Sequence, residues 1–531
     1  MKSNKRLFKL KFSGKDLAKI LSEDIGQKAS FLDITRCYIY DGLNCSHKNI
    51  NWNLGVELSY FDGEILFDNA ILKRSIGFER CAFLNGFSAE NAVFEDQFYL
   101  DRSYVQKGVY CNGAVFQGPL DLSSDYFDND DGTPVNISVS FRNAKIQKEV
   151  TFNHSIFDVA VIFDEAVFNA HTSFNRAIFH GDESFDRTQF NDLTSFQGIR
   201  IAGLMRFSKV KFQKSAFFQS IDTLSGSESN DVRGTLCFFG AEFQGKVFFD
   251  NSRLNSILFP ISNINFYRKA QDIEQDFEGL LCKNLASFKS LNCRTIDLYG
   301  AEFQNFVDFS NADIGDYLNF DNVIFEDKVS FYQTHFPGTE RDKLKKTTIG
   351  VSFENVRFAK EIELDYNQII NWKLADNSAR VWANLEHEFK ISDNLLAQNQ
   401  AMYQKNILLK KGFTSEISYL FWGFGVRPIR VLFWLFLLQL MFVATYWTQT
   451  SALGLDGFIG KKTLSRFKFV WSFSRKTAVS LSYGVTHSKT PFFKGLTVIH
   501  AILIKVLLVF FLISLSNVSP LLHEIFSKLL P

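Results

Sequence analysis

Lys505 stands ten residues into LTVIHAILIKVLLVFFLISL, residues 496–515, and His500 precedes it by five. An ammonium in the middle of an apolar run costs several kcal/mol unless it meets water or a partner. It therefore marks a water-lined path, a polar pair, or a helix tilted enough for the side chain to reach the surface. Gln439, inside the other long apolar run at residues 429–447, is the available polar partner. At about 100° per residue His500 lies well round the helix from Lys505, so the two need not share a face. Elsewhere the chemistry is thin. His154, His171, His180 and His335 fall at outward positions of a repeat, and the adjacent acids Asp164-Glu165 and Asp182-Glu183 read as solvated turn formers, not as a general acid and base. There is no Walker-type glycine loop, HExxH, CxxC or GxSxG, so no catalytic, cofactor-binding or metal-ligating residues are expected, and the chain reads as non-enzymatic.

The apolar runs of 19 and 20 residues match a bilayer core of about 30 Å. Trp434, Tyr446 and Trp447 give the first run aromatic ends. Charge is unevenly placed. Residues 401–531 hold 15 Lys/Arg against 3 Asp/Glu, and residues 1–400 hold 43 against 54. A basic tail of that kind suits anionic lipid, and the mildly acidic body gives no reason to expect nucleic acid. Seven scattered cysteines without a paired framework fit free thiols in a reducing compartment. The start, MKSNKRLFKLKFSG, lacks the apolar core of a secretory signal, so the body is expected in the cytoplasm. The segment between the runs carries eight Lys/Arg and the segment before the first carries five. The positive-inside rule alone would put the connecting segment in the cytoplasm. Translocating a folded body of 400 residues is the harder alternative, so the expectation is body inside, with the connection outside or partly re-entrant.

The body has a rhythm of its own. Phe152, Phe157, Phe163, Phe168, Phe174, Phe179, Phe185, Phe190 and Phe196 are separated by 5 and 6 residues in strict alternation, and Phe accounts for 60 of 531 residues. A helix would spread these rings into two stripes on a sequence rich in Asn, Asp, Thr, Ser and Gly, which are poor helix formers. A flat strand would send rings five apart to opposite faces. A coil that turns a corner between successive rings brings every ring inward. Small residues two positions before many rings, as at Ala92, Ala114, Ala166, Ala177, Ala241 and Ala301, would fill the same narrow interior.

The pattern A-x-F-x-x-x-x-x-F-x-x-A-x-F resembles the pentapeptide-repeat proteins, in a form that favours Phe over Leu at the central position. The resemblance spans roughly 300 residues and is most specific at 150–200. It implies a right-handed quadrilateral β-helix with 22 residues per coil, a dozen coils stacking to about 60 Å at the inter-strand spacing. The fold class expected is thus mainly β: a pentapeptide-repeat solenoid, then an α-helical hairpin and two transmembrane helices. Residues 1–50 form an N-terminal cap with a capped helix after Ser13, residues 51–370 the solenoid, 371–412 the hairpin and 413–531 the membrane module. Breaks in rhythm near 123–136, 222–234, 260–284 and 337–348 are read as insertions, the third helical. In the hairpin, Trp382, Leu385 and Phe389 share one face and Ser392-Asp393 offers a fresh N-cap, and the pair is expected to cap the open end of the solenoid.

The tail resembles pentapeptide-repeat membrane proteins that end in a two-helix module similar to the pore domain of simple tetrameric cation channels. Ser480-Leu481-Ser482-Tyr483-Gly484-Val485 lies where a T-V-G-Y-G-D filter would sit. Ser482 replaces the first filter glycine and Val485 the acid, so potassium selectivity is not implied. The resemblance implies an oligomeric pore, with a tetramer as the natural number, in the inner (plasma) membrane of a bacterium. Lys505, His500, Gln439, Ser482, Tyr483 and Gly484 are the pore and membrane candidates. The expected function is a cytoplasmic scaffold or sensor, with an unidentified protein partner or trigger, coupled to a pore that permeabilises membranes in a toxic or defensive role. The alternatives are a membrane-tethered interaction scaffold and, with less support, a DNA-mimicking topoisomerase inhibitor.

Overall fold

The computed structural model describes residues 4–23, 30–128, 138–223, 234–258, 279–337, 350–364, 378–450 and 463–519. The chain divides into two compact units, Met1–Asp376 and Asn377–Pro531.

The first unit is a stack of short strands, all paired parallel among the described residues, as in a β-solenoid and not a closed barrel. Within the regular block each strand meets the one 22 residues on: Val161 faces Glu183, Phe168 faces Phe190, and Thr172 faces Thr194. All nine rings from Phe152 to Phe196 are fully buried. Rings one coil apart lie flat on one another, Phe152 on Phe174 at 4.7 Å and 4°, and Phe174 on Phe196 at 4.8 Å and 2°. Rings across the interior meet edge to face, Phe174 with Phe185 at 89°. This geometry suits the aromatic quadrupole in both directions, and it explains why a flat ring, whose thickness matches the strand spacing, recurs at these positions.

The alternation of five and six has a backbone cause. His154, Glu165, Arg176 and Arg187, one every eleven residues, adopt left-handed φ of 59–63°. Each sits inside a gap of five, and no gap of six in this block contains a left-handed residue. A non-glycine residue there costs about 1–2 kcal/mol. The cost is offset because every such amide is bonded to the next coil, as Glu165 N–H is to Asp186 O at 2.8 Å and Arg176 N–H to Gln197 O at 2.9 Å. Side chains stitch the same corners. The Asn153 amide oxygen accepts from the Ser173 hydroxyl at 2.6 Å and the Asn175 N–H at 2.8 Å, and Asp164 likewise binds the Ser184 hydroxyl and the Asp186 N–H. The abundance of Asn, Asp and Ser that argues against helix is thus the bonding between coils.

The strand stack starts earlier than the sequence boundary. Asn4–Phe8 already pairs with Ser30–Thr35, which pairs with Trp52–Glu57, inside and across the stretch assigned to a cap. Helix α1, Gly14–Leu21, is present there; the Ser13 hydroxyl accepts from Lys15 N–H, and Leu17 and Leu21 are fully buried. The insertions are also narrower than the broken rhythm suggests. Tyr126–Asp128, Asp222–Thr223 and Leu281–Cys282 are ordinary strands of the stack. Register survives the breaks: Leu120 pairs with Val150 and Met205 with Leu236. The helix expected within 260–284 falls mostly outside the described residues, and the insertion at 337–348 does so almost entirely. All seven cysteines are free and buried, and burial pushes the thiols of Cys45, Cys81 and Cys293 up to about 12.

The second unit is helical: α2 (Ala379–Ile391), α3 (Leu395–Leu409), α4 (Phe413–Trp422), α5 (Pro428–Thr448), α6 (Thr463–Val479), α7 (Leu481–His487) and α8 (Pro491–Val518). The hairpin α2–α3 falls in this unit, with Trp382, Leu385 and Phe389 buried on one face. Its second helix is capped by Asn394, whose side chain accepts from Ala397 N–H, and not by Ser392-Asp393; Ser392 closes α2 instead. α5 and α8 are long and apolar enough to cross a membrane, and only 22% and 17% of their most apolar stretches is buried. Both begin at proline, which lacks the donor a first turn would leave unsatisfied.

Candidate functional site

The structure brings Gln439 and His500 together and leaves Lys505 apart. α6 runs back along α5. Near its start, Arg466 donates to Trp447 O at 2.9 Å with its guanidinium over the Trp447 ring; near its end, Ser474 lies against Gln439, the midpoint of α5. α8 brings His500 to the same level. Its ring stacks on Phe442 at 4.0 Å, with Tyr446 OH 3.2 Å from Nδ1 and Gln439 Oε1 3.2 Å from Nε2. Gln439 Nε2 donates to Ser474 Oγ at 2.8 Å.

These contacts assign the tautomer of His500. An amide oxygen only accepts, so His500 carries its hydrogen on Nε2 and its bare Nδ1 accepts from Tyr446. The chain Tyr446, His500, Gln439, Ser474 is a directed relay of donors in which both imidazole nitrogens are satisfied by neutral groups. No Asp or Glu occurs anywhere in α5, α6, α7 or α8 to favour an imidazolium. Tyr446, Ser474 and His500 are fully buried.

Lys505 is exposed on α8 and makes no hydrogen bond or ion pair among the described residues. Gln439, the alternative to a water-lined path for Lys505, is committed on both its amide atoms. Two further cations, Arg475 and Lys476, are exposed beside Ser474 near the end of α6. Sequence reasoning counted them only as loop charges, because the backward course of α6 places them beside the middle of α5 and nothing local records it.

The stretch matched to a filter is helical. Ser482, Tyr483 and Gly484 lie in α7, where backbone carbonyls are used within the helix and are not presented to a lumen. Ser482 is exposed with its hydroxyl 3.1 Å from that of Ser480, and Tyr483 stacks on His487 at 4.2 Å. Gly484 is a point of close approach: a Cβ there would lie 2.5 Å from Thr497 Cβ and 2.7 Å from Thr477 Cγ2.

In the strand stack His154 and His180 are exposed, and His171 and His335 are half-buried. Asp164 is half-buried and Glu165 exposed, but Glu183 is not solvated as its pairing with Asp182 suggested. It is 1% exposed and, among the described residues, neither carboxyl oxygen has a hydrogen-bond partner. Burial, and after it the neighbouring Asp182, holds its carboxyl well above the usual range. A signal for this was present: Glu183 stands two before Phe185, the inward position filled by Val161, Thr172 and Thr194 before their rings, all fully buried. No cluster of metal-ligating side chains occurs among the described residues.

No family model matches this chain, and neither do any curated protein or solved structure.

Proposed function

We propose that this chain is a membrane-embedded oligomeric effector of pentapeptide-repeat type, in which a right-handed quadrilateral β-helix in the cytoplasm governs a pore built from α5 and α8. The β-helix type is supported by 22-residue parallel register, by inward rings at five and six, and by left-handed corners every eleven residues. The observation that carries the pore reading is Lys505: an exposed ammonium, unpaired among the described residues, near the middle of an apolar helix in a group, α5 to α8, whose sequences contain no Asp or Glu. In a bilayer that group needs water, and a water-filled path between copies supplies it. Two helices cannot enclose such a path, so several copies assemble, four being the working number. With Arg475 and Lys476 exposed beside Ser474, which is level with Gln439 and His500, the path favours anions. The backward course of α6 makes the connection partly re-entrant, which accommodates its positive charge on the far side of the inner membrane of a bacterium. The solenoid surface takes the trigger, and opening permeabilises the membrane.

Planar-bilayer recording with the purified chain tests this. Currents are expected, with a reversal potential in a salt gradient displaced toward that of the anion, and Lys505→Leu is expected to reduce the displacement. Silent bilayers together with a monomeric mass in mild detergent would sink the proposal.

A further inference from the structure

Helix α4 is amphipathic the wrong way round for a protein surface in water. Its ten residues, FTSEISYLFW, include none that is buried. Phe413 is 78% exposed and Leu420 52%, and with Ile417 they form one outward face at the spacing of helical neighbours. The inward face holds the polar and amphipathic groups. Ser418 Oγ accepts from Trp422 Nε1 at 2.9 Å, the Trp422 ring packs on Phe510 of α8, and Tyr419 lies under the Arg430 guanidinium at 4.5 Å.

The helix is also fixed to α5. Two carbonyls of its last turn accept from side chains in the first turns of α5: Arg430 donates to Tyr419 O, which also accepts from Gly423 N–H, and Trp434 Nε1 donates to Leu420 O at 3.1 Å. Gly423, Phe424 and Gly425 are all left-handed, at φ 57°, 56° and 88°, which closes the turn tightly before Pro428. Phe421 stacks on Trp434 at 4.7 Å, so the exposed apolar face of α4 runs without a break into the exposed face of α5 at Phe433. Lys411, at the approach to α4, is exposed, and Glu416 is the helix's single acid.

We propose that α4 lies in the interfacial layer of the bilayer, its Phe413–Leu420 face seated among the lipid acyl chains just below the headgroups. The medium that covers α5 covers this face as well; Lys410 is held by Glu416 at 2.8 Å and lies over the Tyr419 ring, and the exposed Lys411 sits at the level of the headgroup phosphates. Because α4 and α5 are joined by a tight turn and two capping side chains, a displacement of α4 along the surface turns the first part of α5. The inference rests on the membrane reading of α5 and α8 but not on conduction.

The test uses the full chain reconstituted in phosphatidylcholine–phosphatidylglycerol vesicles, carrying a polarity-sensitive fluorophore on a single introduced cysteine; the seven native thiols are buried. Phe413→Cys and Leu420→Cys are compared with Glu416→Cys on the polar flank and Phe433→Cys on α5. Nitroxide lipid labelled near the headgroup is expected to quench positions 413 and 420, and aqueous iodide to quench them several-fold less than position 416. Iodide reaching 413 and 420 as it reaches 416 overturns the proposal. So does shielding of both positions from either quencher, which would place a second copy or another protein on the face. If position 433 is not quenched by lipid nitroxide at acyl depth, the membrane reading fails with it; if 433 is quenched and 413 is not, only the role of α4 fails.

Discussion

The imidazole of His500 lies 4.0 Å from the ring of Phe442 and within 17° of parallel, so one buried histidine fixes α8 against α5 by stacking and by hydrogen bonds at both nitrogens. Such a contact has one register. A slide of either helix by a residue separates His500 from Gln439 and Tyr446 together, leaving buried polar groups unpaired in a site with few alternatives.

Gln439→Leu should therefore cost more than the loss of one contact, since it orphans His500 Nε2 and Ser474 Oγ at once. Interhelical hydrogen bonds in membranes average about 0.6 kcal/mol, with about 1.7 kcal/mol at the upper end. Thermal melting of the detergent-solubilised chain should show Gln439→Leu and His500→Phe each destabilising. The double variant should fall short of their sum by an amount in that range. Strict additivity would mean the two side chains do not act as a pair.

Glu183 makes the strand stack pH-sensitive in a defined direction. Its folded carboxyl titrates above the unfolded one because burial penalises the charged form. The folded state therefore holds a proton that the unfolded state releases. The stability it allows is fully present below about pH 4.3, the ordinary glutamate value, and is lost as pH rises from there to the folded value, at about 1.4 kcal/mol per pH unit. Glu183→Gln keeps the shape and removes the titration, so the melting temperature of the variant should pull ahead of the parent as pH rises. Parallel profiles for the two proteins would show that Glu183 reaches solvent.

Gly484 and Gly495 separate close packing from helix propensity. A methyl at Gly484 meets two β-branched threonines held on neighbouring helices, whereas nothing lies within 4 Å of one at Gly495. Gly484→Ala should destabilise the helical unit by about 1–3 kcal/mol, the usual cost of overpacking. Gly495→Ala should be neutral or stabilising by up to about 1 kcal/mol, since alanine is the better helix former. Detergent melting curves of the two variants provide the comparison, and equal effects would remove the case for a tight crossing at Gly484.

The sequence determined most of the strand stack, because inward rings repeat with the coil and a local pattern of five and six is the imprint of a local corner. It also determined α1 through Ser13, and both long apolar helices through composition and length. The start of the stack within residues 4–57 carried no such imprint, since Leu32, Ile34, Trp52 and Leu54 pack inward there without the phenylalanine rhythm. Glu183 looked like a solvated acid because charge was weighed before position, although its place two before a ring pointed inward. The rest depended on contacts between residues distant in sequence. That Gln439 serves His500 and Ser474, leaving Lys505 alone, follows from α6 doubling back along α5, and neither helix encodes the other's course. Ser482-Tyr483-Gly484 is helical where a filter was matched, and Gly484 packs closely against Thr477 and Thr497 of the neighbouring helices. Periodicity is a property of the chain, and it fixed the solenoid; partnership between helices is a property of their packing, and only the tertiary structure decided it.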